Sequence, residues 1–135
     1  MAEITSLNIA DANNTARFNG ANNVSTLDDA GRLLEGIIAR NYRDNDGTNT
    51  TTGTGAAYVI TLNRTGLSLN ADVRSVLVRA HLANTGACTI AINSLTAKPI
   101  KKRGNTDIII GDILINDLVW LVYNPAWDAY QLMGI

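Results

Sequence analysis

The sequence is short of the residues that build reactive sites. Among its 135 residues are one cysteine, one histidine and one phenylalanine, and only 17% are charged. A single cysteine, Cys88, excludes an intramolecular disulfide and a cysteine-based metal cluster. The single histidine, His81, excludes a His-rich metal site and leaves any Ser-His-Asp arrangement dependent on itself alone. The composition therefore predicts a protein that is not an enzyme and that uses no metal or cofactor.

Long hydrophobic runs and strong net charge are also missing. The apolar runs stay far below the ~18 residues that cross a bilayer, and the first residues lack the basic and apolar regions of a secretory signal. The net charge of −1 does not favour phosphate-driven nucleic-acid binding. We therefore expect no membrane insertion, no nucleic-acid partner, and assembly in a cytoplasm.

Residues 1–24 form a polar segment rich in Asn and Thr. A segment so short and polar does not bury enough apolar surface to fold alone. We interpret it as an attachment arm that docks on a larger assembly. Its candidate docking residues are the spaced apolar side chains and the single Arg-Phe pair: Ile4, Leu7, Ile9, Arg17 and Phe18.

Residues 25–46 carry the pattern of one amphipathic helix. Ser25 and Asp28 match the hydroxyl-x-x-acid sequence that caps a helix N-terminus. Apolar residues then recur at a spacing of three and four, which predicts a self-association seam. The seam residues are Leu27, Ala30, Leu34, Ile37 and Ile38. Two partners for this face remain open, namely the β domain of the same chain and the same helix of sister chains.

The pattern changes after the helix. Residues 47–56, rich in Thr and Gly, predict a linker, and residues 57–135 predict a β domain. Short strands separated by frequent turns are typical of a small antiparallel β-sandwich or barrel. Residues 108–110 and 113–115 are interpreted as two of these strands. The predicted fold class is therefore mainly β, preceded by a polar arm and one helix.

One cluster near the C-terminus has the composition of a sugar platform. Trp127 and Tyr130 offer aromatic faces for stacking, and Asp128 offers a carboxylate for hydroxyl groups. These residues are the candidate glycan-binding site. The alternative is that Trp127 packs over the end of the sandwich.

Several phrases of the sequence recur together in one known group of proteins. The run NIADANNTARF at residues 8–18, followed by the helix, resembles the N-terminal region of tailed-phage fibre and spike proteins. The β part resembles a module of the same proteins. Its phrases are ANTGA at 83–87, AKPIKK at 97–102, GDI at 111–113, and LVY at 121–123, followed by Trp127 and YQL at 130–132.

The resemblance implies a virion structural protein that is usually a homotrimer. The arm and helix would mount on other virion proteins of the capsid, portal, neck or tail, and the β part would project. Family members often continue into a long shaft or receptor-binding tip, whereas this sequence stops at Ile135. The expected role is a fibre or spike base, an adaptor or a head decoration protein, with threefold and fivefold symmetry both open. The alternative is a carbohydrate-binding module that aids adsorption to host-surface glycans.

Overall fold

The structure, a computed structural model, describes residues 24–135, with one helix followed by a curled β-sheet. The helix, α1, spans Val24–Asp44, close to the predicted 25–46. The strands are β1 Thr52–Gly53, β2 Ala57–Ile60, β3 Ser75–Arg79, β4 Thr89–Ile92, β5 Lys98–Lys102, β6 Thr106–Asp107, β7 Leu118–Asn124 and β8 Ala129–Leu132. A 3-10 turn, Asn70–Asp72, precedes β3. The predicted fold class, a small mainly β domain with one helix, is confirmed.

The strands form one mixed sheet. Seven of them follow the order β1-β2-β4-β5-β8-β7-β3, and β6 pairs with β5. Sequence patterning predicts antiparallel pairing throughout, but the β2–β4 and β5–β8 pairs are parallel. Each parallel pair joins strands that are separated in sequence by other strands, which a local pattern does not reveal. The last strand, β8, lies in the interior of the sheet between β5 and β7.

Residues 49–51 join the two edges of the curled sheet. The Thr51 N–H donates to the Arg79 carbonyl at 2.9 Å, and the Arg79 N–H donates to the Asn49 carbonyl at 2.8 Å. The chain then enters β1, where Thr52 pairs with Val59 of β2. The segment 47–56, predicted as a linker, therefore takes part in the sheet. Its threonines suit extended backbone as well as polar loops, so their composition alone did not separate the two.

Alternating side chains fill the inside of the curl. Along β3, Val76 and Val78 are buried, and Val119 and Leu121 are buried beside them on β7. The remaining cavity at the centre has a volume of only about 10 Å³. That volume holds about one water molecule. The interior is therefore a packed core and leaves no space for a small-molecule ligand.

Residues 108–117 form a shaped loop where the sequence predicts strands at 108–110 and 113–115. Ile108 and Ile113 are buried, and the backbone between them bonds to the side chain of Asn84. The Asn84 Oδ1 accepts from the N–H groups of Gly111 and Ile113 at 3.1 and 2.9 Å. Its Nδ2 donates to the carbonyls of Gly86 and Ile109. The buried amide thus satisfies backbone groups that a neighbouring strand would otherwise bond, so the strand prediction is wrong here.

Candidate interaction surface

A buried ion pair fixes the C-terminal end of α1 to the β domain. Asp44, the last residue of the helix, is fully buried, and its Oδ2 lies 3.0 Å from Nε of Arg64. Its Oδ1 accepts from the backbone N–H of Asn63 at 2.7 Å and from the Asn63 side chain at 2.9 Å. Arg64 then donates to the carbonyls of Val73 and Ser75. The ion-pair and hydrogen-bond partners of Asp44 all belong to the β domain, so they fix the direction in which the helix leaves that domain.

The predicted apolar stripe of α1 divides into two adjacent faces. The inner helix face consists of Ile37, Asn41 and Asp44, and Ile37 is only 2% exposed. The outer helix face consists of Leu34, Ile38 and Tyr42, which are 38%, 60% and 71% exposed. Of the other predicted seam residues, Ala30 is half-buried, and the side chain of Leu27 lies outside the described residues. The structure thus separates Ile37 from Leu34 and Ile38, which the sequence had placed in one seam.

Gly31 lies on the outer helix face, two turns before Ile38. A methyl group added to Gly31 would have no described side chain or neighbouring backbone within 4 Å. The helix backbone is therefore open to close approach at this point, and small residues at helix contacts permit short interaxial distances. Tyr42 extends the same face towards the β domain. Tyr42 is not among the predicted seam residues, because the predicted seam ends at Ile38, four residues earlier.

The predicted sugar platform does not form. Tyr130 is fully buried, its hydroxyl donates to Asn70 Oδ1 at 3.0 Å, and its ring packs edge-on against Tyr123 with centroids 5.3 Å apart. Asp128 is exposed and Trp127 is half-buried. Tyr130 is buried because successive side chains of a strand point to opposite faces, and in β8 Tyr130 points to the core. Trp127, Asp128 and Tyr130 therefore do not share one binding surface.

Asp128 belongs instead to a surface network. Its Oδ2 accepts from Lys98 Nζ and its Oδ1 from the Tyr123 hydroxyl, both at 2.6 Å. The hydrogen bonds from Lys98 and Tyr123 lower the pKa of Asp128, and the bond to Asp128 raises the pKa of Tyr123. The network borders a surface cleft of about 300 Å³ that Leu69 and Asn70 also line. These polar groups already form hydrogen bonds with one another. The network therefore connects β5 to the turn between β7 and β8 and stabilises that contact.

His81 and Cys88 have structural roles. The His81 Nε2 lies 3.1 Å from the Gly53 carbonyl, and its Nδ1 lies 2.8 Å from the Thr51 hydroxyl. A carbonyl only accepts, so Nε2 donates and Nδ1 accepts the Thr51 hydroxyl hydrogen. Cys88 is buried, and burial raises the pKa of its thiol to about 11. A thiol with so high a pKa is protonated at neutral pH and is a poor nucleophile.

A second exposed apolar surface lies on the 108–117 loop. Ile109, Ile110, Leu114 and Ile115 are between 54% and 73% exposed. The Asn116 N–H donates to the Ala80 carbonyl, so the loop lies at the end of β3. The C-terminal end of α1 lies near the start of β3, because Arg64, which binds Asp44, also donates a hydrogen bond to the Ser75 carbonyl. The two surfaces are thus at opposite ends of one strand, and sequence analysis missed the second because it assigned these residues to strands.

Residues 24–135 contain no helix that combines the length and the apolarity that crossing a membrane requires. Within the same residues, no group of three His, Cys, Asp or Glu side chains is placed to hold a metal ion. The candidate docking residues Ile4, Leu7, Ile9, Arg17 and Phe18 lie outside the described residues.

No family model matches the chain, and a search of curated proteins also finds no match. Among the described residues, those of the outer helix face are the most informative about function. This face is apolar and held in a fixed direction by the Asp44–Arg64 pair. Exposed large apolar side chains of this kind are typical of surfaces that bind other proteins.

Proposed function

We propose that the protein is a non-enzymatic structural component of a phage-like virion. It would act as a fibre or spike base, an adaptor or a head decoration protein that self-associates, most simply as a homotrimer. The resemblance of residues 8–18 and of the β phrases to phage fibre and spike proteins supports the virion setting. The outer helix face supports the self-association.

The observation that carries the proposal is the exposure of Leu34, Ile38 and Tyr42 on one side of a firmly rooted helix. Fully burying a large apolar side chain contributes about 1.5–3 kcal/mol. The 21-residue helix exposes large apolar side chains to solvent, so it gains stability when a second apolar face covers them. Copies of the same helix offer that face, because rotational symmetry repeats every contact.

In this role, each part of the chain has a different task. Residues 1–24 dock on another virion protein, α1 joins the copies, and the β domain projects from the assembly. The protein is made in the host cytoplasm and resides in the virion. Carbohydrate binding is the weaker alternative, because the buried Tyr130 removes an aromatic face from the platform that the sequence suggested.

The test of self-association replaces Ile38 with Asp. A charge in the middle of the outer helix face must be desolvated on assembly, so we expect oligomers to dissociate into monomers in size-exclusion chromatography with light scattering. Ala39→Asp is the matched control, since Ala39 is exposed one position further around the helix and outside this face. An unchanged oligomer mass for Ile38→Asp would remove the seam from the proposal.

The virion setting needs a separate test. Particles from cells that produce the protein should be labelled by gold-conjugated antibodies raised against residues 57–135. Electron microscopy of the labelled particles would also locate the protein on the head, neck or tail and distinguish threefold from fivefold symmetry. Particles that never carry the label would contradict the virion proposal even if the purified protein is oligomeric.

A further inference from the structure

The outer surface of the β3–β7 pair carries exposed apolar side chains. Leu77 lies opposite Trp120, and Arg79 lies opposite Leu118. Trp120 and Leu118 are 50% and 58% exposed, while Leu77 is half-buried. We call Leu77, Leu118 and Trp120 the Trp120 face. A half-exposed tryptophan flanked by leucines is typical of an interaction surface, because tryptophan is enriched where binding energy concentrates.

The Trp120 face is continuous with the outer helix face. Asn45 directly follows α1, two helical turns after Ile38, and therefore lies on the same side of the helix axis. Asn45 also lines a cleft of about 360 Å³ together with Ser75, Leu77 and Trp120. Gly47, just after the helix, packs closely against the Trp120 face, since a methyl group added to it would lie only 3.0 Å from Leu118 Cδ2. One connected surface thus runs from the helix onto the sheet.

The centre of this connected surface is uncharged, and the exposed Glu35, four residues after Gly31 on the helix, borders it. Its exposed members on the helix and at the cleft are Leu34, Ile38, Tyr42, Asn45 and Trp120, and the half-buried Leu77 also lines the cleft. Arg79 stands at its rim, opposite Leu118. Depletion of charge in the centre with aromatic anchors and a charged rim is the pattern of lasting subunit interfaces.

We propose that a second copy of this chain covers the Trp120 face as well as the outer helix face, so that the two form one subunit interface. This inference rests on the proposed self-association. The Asp44–Arg64 pair fixes the angle between α1 and β3. A neighbouring copy that packs on Leu34 and Ile38 is therefore brought against the surface that begins at Asn45. The cleft beside Trp120 receives side chains of that copy.

The first test replaces Trp120 with Gln, a polar residue that an exposed strand position tolerates. We expect the dissociation constant of the oligomer, measured by analytical ultracentrifugation, to rise at least about tenfold, as for other buried tryptophan anchors. Leu114→Gln is the control, because Leu114 is similarly exposed at 54% but lies on the 108–117 loop. An unchanged affinity for Trp120→Gln would overturn the inference.

A second measurement reads Trp120 without replacing it. The chain has two tryptophans, so in a Trp127→Phe protein all tryptophan emission comes from Trp120. We expect this emission to shift to shorter wavelength as the protein is concentrated from monomer to oligomer, since the ring leaves water. Constant emission while the mass increases would overturn this inference alone. A protein that stays monomeric at high concentration would overturn the proposed self-association itself.

Discussion

Asp44 occupies a position that helix electrostatics disfavour. It is the last residue of α1, where the negative end of the helix dipole repels a carboxylate. Arg64 offsets this with a direct ion pair, and the N–H groups of Asn63 and Arg64 add hydrogen bonds. The amphipathic pattern predicted over residues 25–46 includes Asp44 but does not indicate this role for it. Its partner lies 20 positions away across the first strands, and local spacing does not reveal such a pairing.

Replacing Arg64 with Leu should strongly destabilise the fold. The change leaves the carboxylate of Asp44 buried without its ion-pair partner, which typically costs about 3–5 kcal/mol. Urea unfolding followed by circular dichroism measures the free energy of unfolding. Lys98→Ala is the control, because it breaks an ion pair with the exposed Asp128, for which about 0–1 kcal/mol is expected. If the two variants lose equal free energy of unfolding, the Asp44–Arg64 pair does not stabilise the fold in this way.

Asp112 should make the stability of the protein depend on pH. Hydrogen bonds from the Ile109 N–H and from Lys102 lower the pKa of its carboxyl below the ordinary 3.8. A lowered pKa in the folded state adds stability above the ordinary value, and this stability is lost as the pH falls through the lowered one. We therefore expect Asp112→Asn to be less stable than the original protein at pH 7. Between about pH 5 and pH 2 the variant should lose less stability than the original. Parallel pH profiles would show that Asp112 makes no such contribution.

At the scale of the element, α1 shows what a periodic pattern predicts well. Its type, its approximate bounds and its apolar side were all readable from residues 25–46. The division into inner and outer faces was not, because Ile37 and Ile38 are adjacent in sequence and equally apolar. Only packing decides that Ile37 is 2% exposed and Ile38 60%. The 108–117 loop shows the opposite case, in which isoleucine-rich patterning predicted strands but a remote side chain, Asn84, determines the backbone.

Gly31→Ala should have two opposite effects on α1. Alanine in a helix interior is more stable than glycine by roughly 0.5–1 kcal/mol, and Gly31 has open space around it. If a second helix approaches closely at Gly31, the added methyl group will also weaken the oligomer. We expect the helix content of the isolated monomer to rise while the association constant falls, measured by circular dichroism and ultracentrifugation.

Gly36→Ala provides the control for that experiment. Gly36 lies on a different side of α1, where an added methyl group would meet only the flexible end of Arg40. Its helix content should rise as for Gly31→Ala while the association constant stays unchanged. If both variants associate equally well, Gly31 is not at a helix contact.

At the scale of the whole molecule, the core belongs to the β domain. Its buried cluster runs from Tyr58 to Leu132 and, as far as the side chains of residues 29–135 are described, contains no residue of α1. The general architecture followed from composition and strand spacing, because alternation of buried and exposed residues is local. The parallel pairs and the closure by residues 49–51 did not follow, since they join segments that are distant in sequence.

A chain that begins at Asp44 should therefore fold without the helix. It keeps the carboxylate that binds Arg64, the closing residues 49–51 and the entire buried cluster. We expect cooperative thermal unfolding and a monomeric mass, since the outer helix face is gone. Loss of cooperative unfolding would show that α1 contributes to the core, and a retained oligomer would place the subunit contact in the β domain alone.

The interior position of β8 also bears on how the protein is made. Residues 129–132 stand between β5 and β7, so a nascent chain that lacks them has an open slot in the middle of its sheet. Folding on the ribosome must wait until these residues emerge, whereas α1, formed from local contacts, can appear much earlier. Copies that meet through their helices during translation would do so before their β domains have closed. Premature termination before residue 129 would yield polypeptides that could still enter an assembly yet never complete their own sheet.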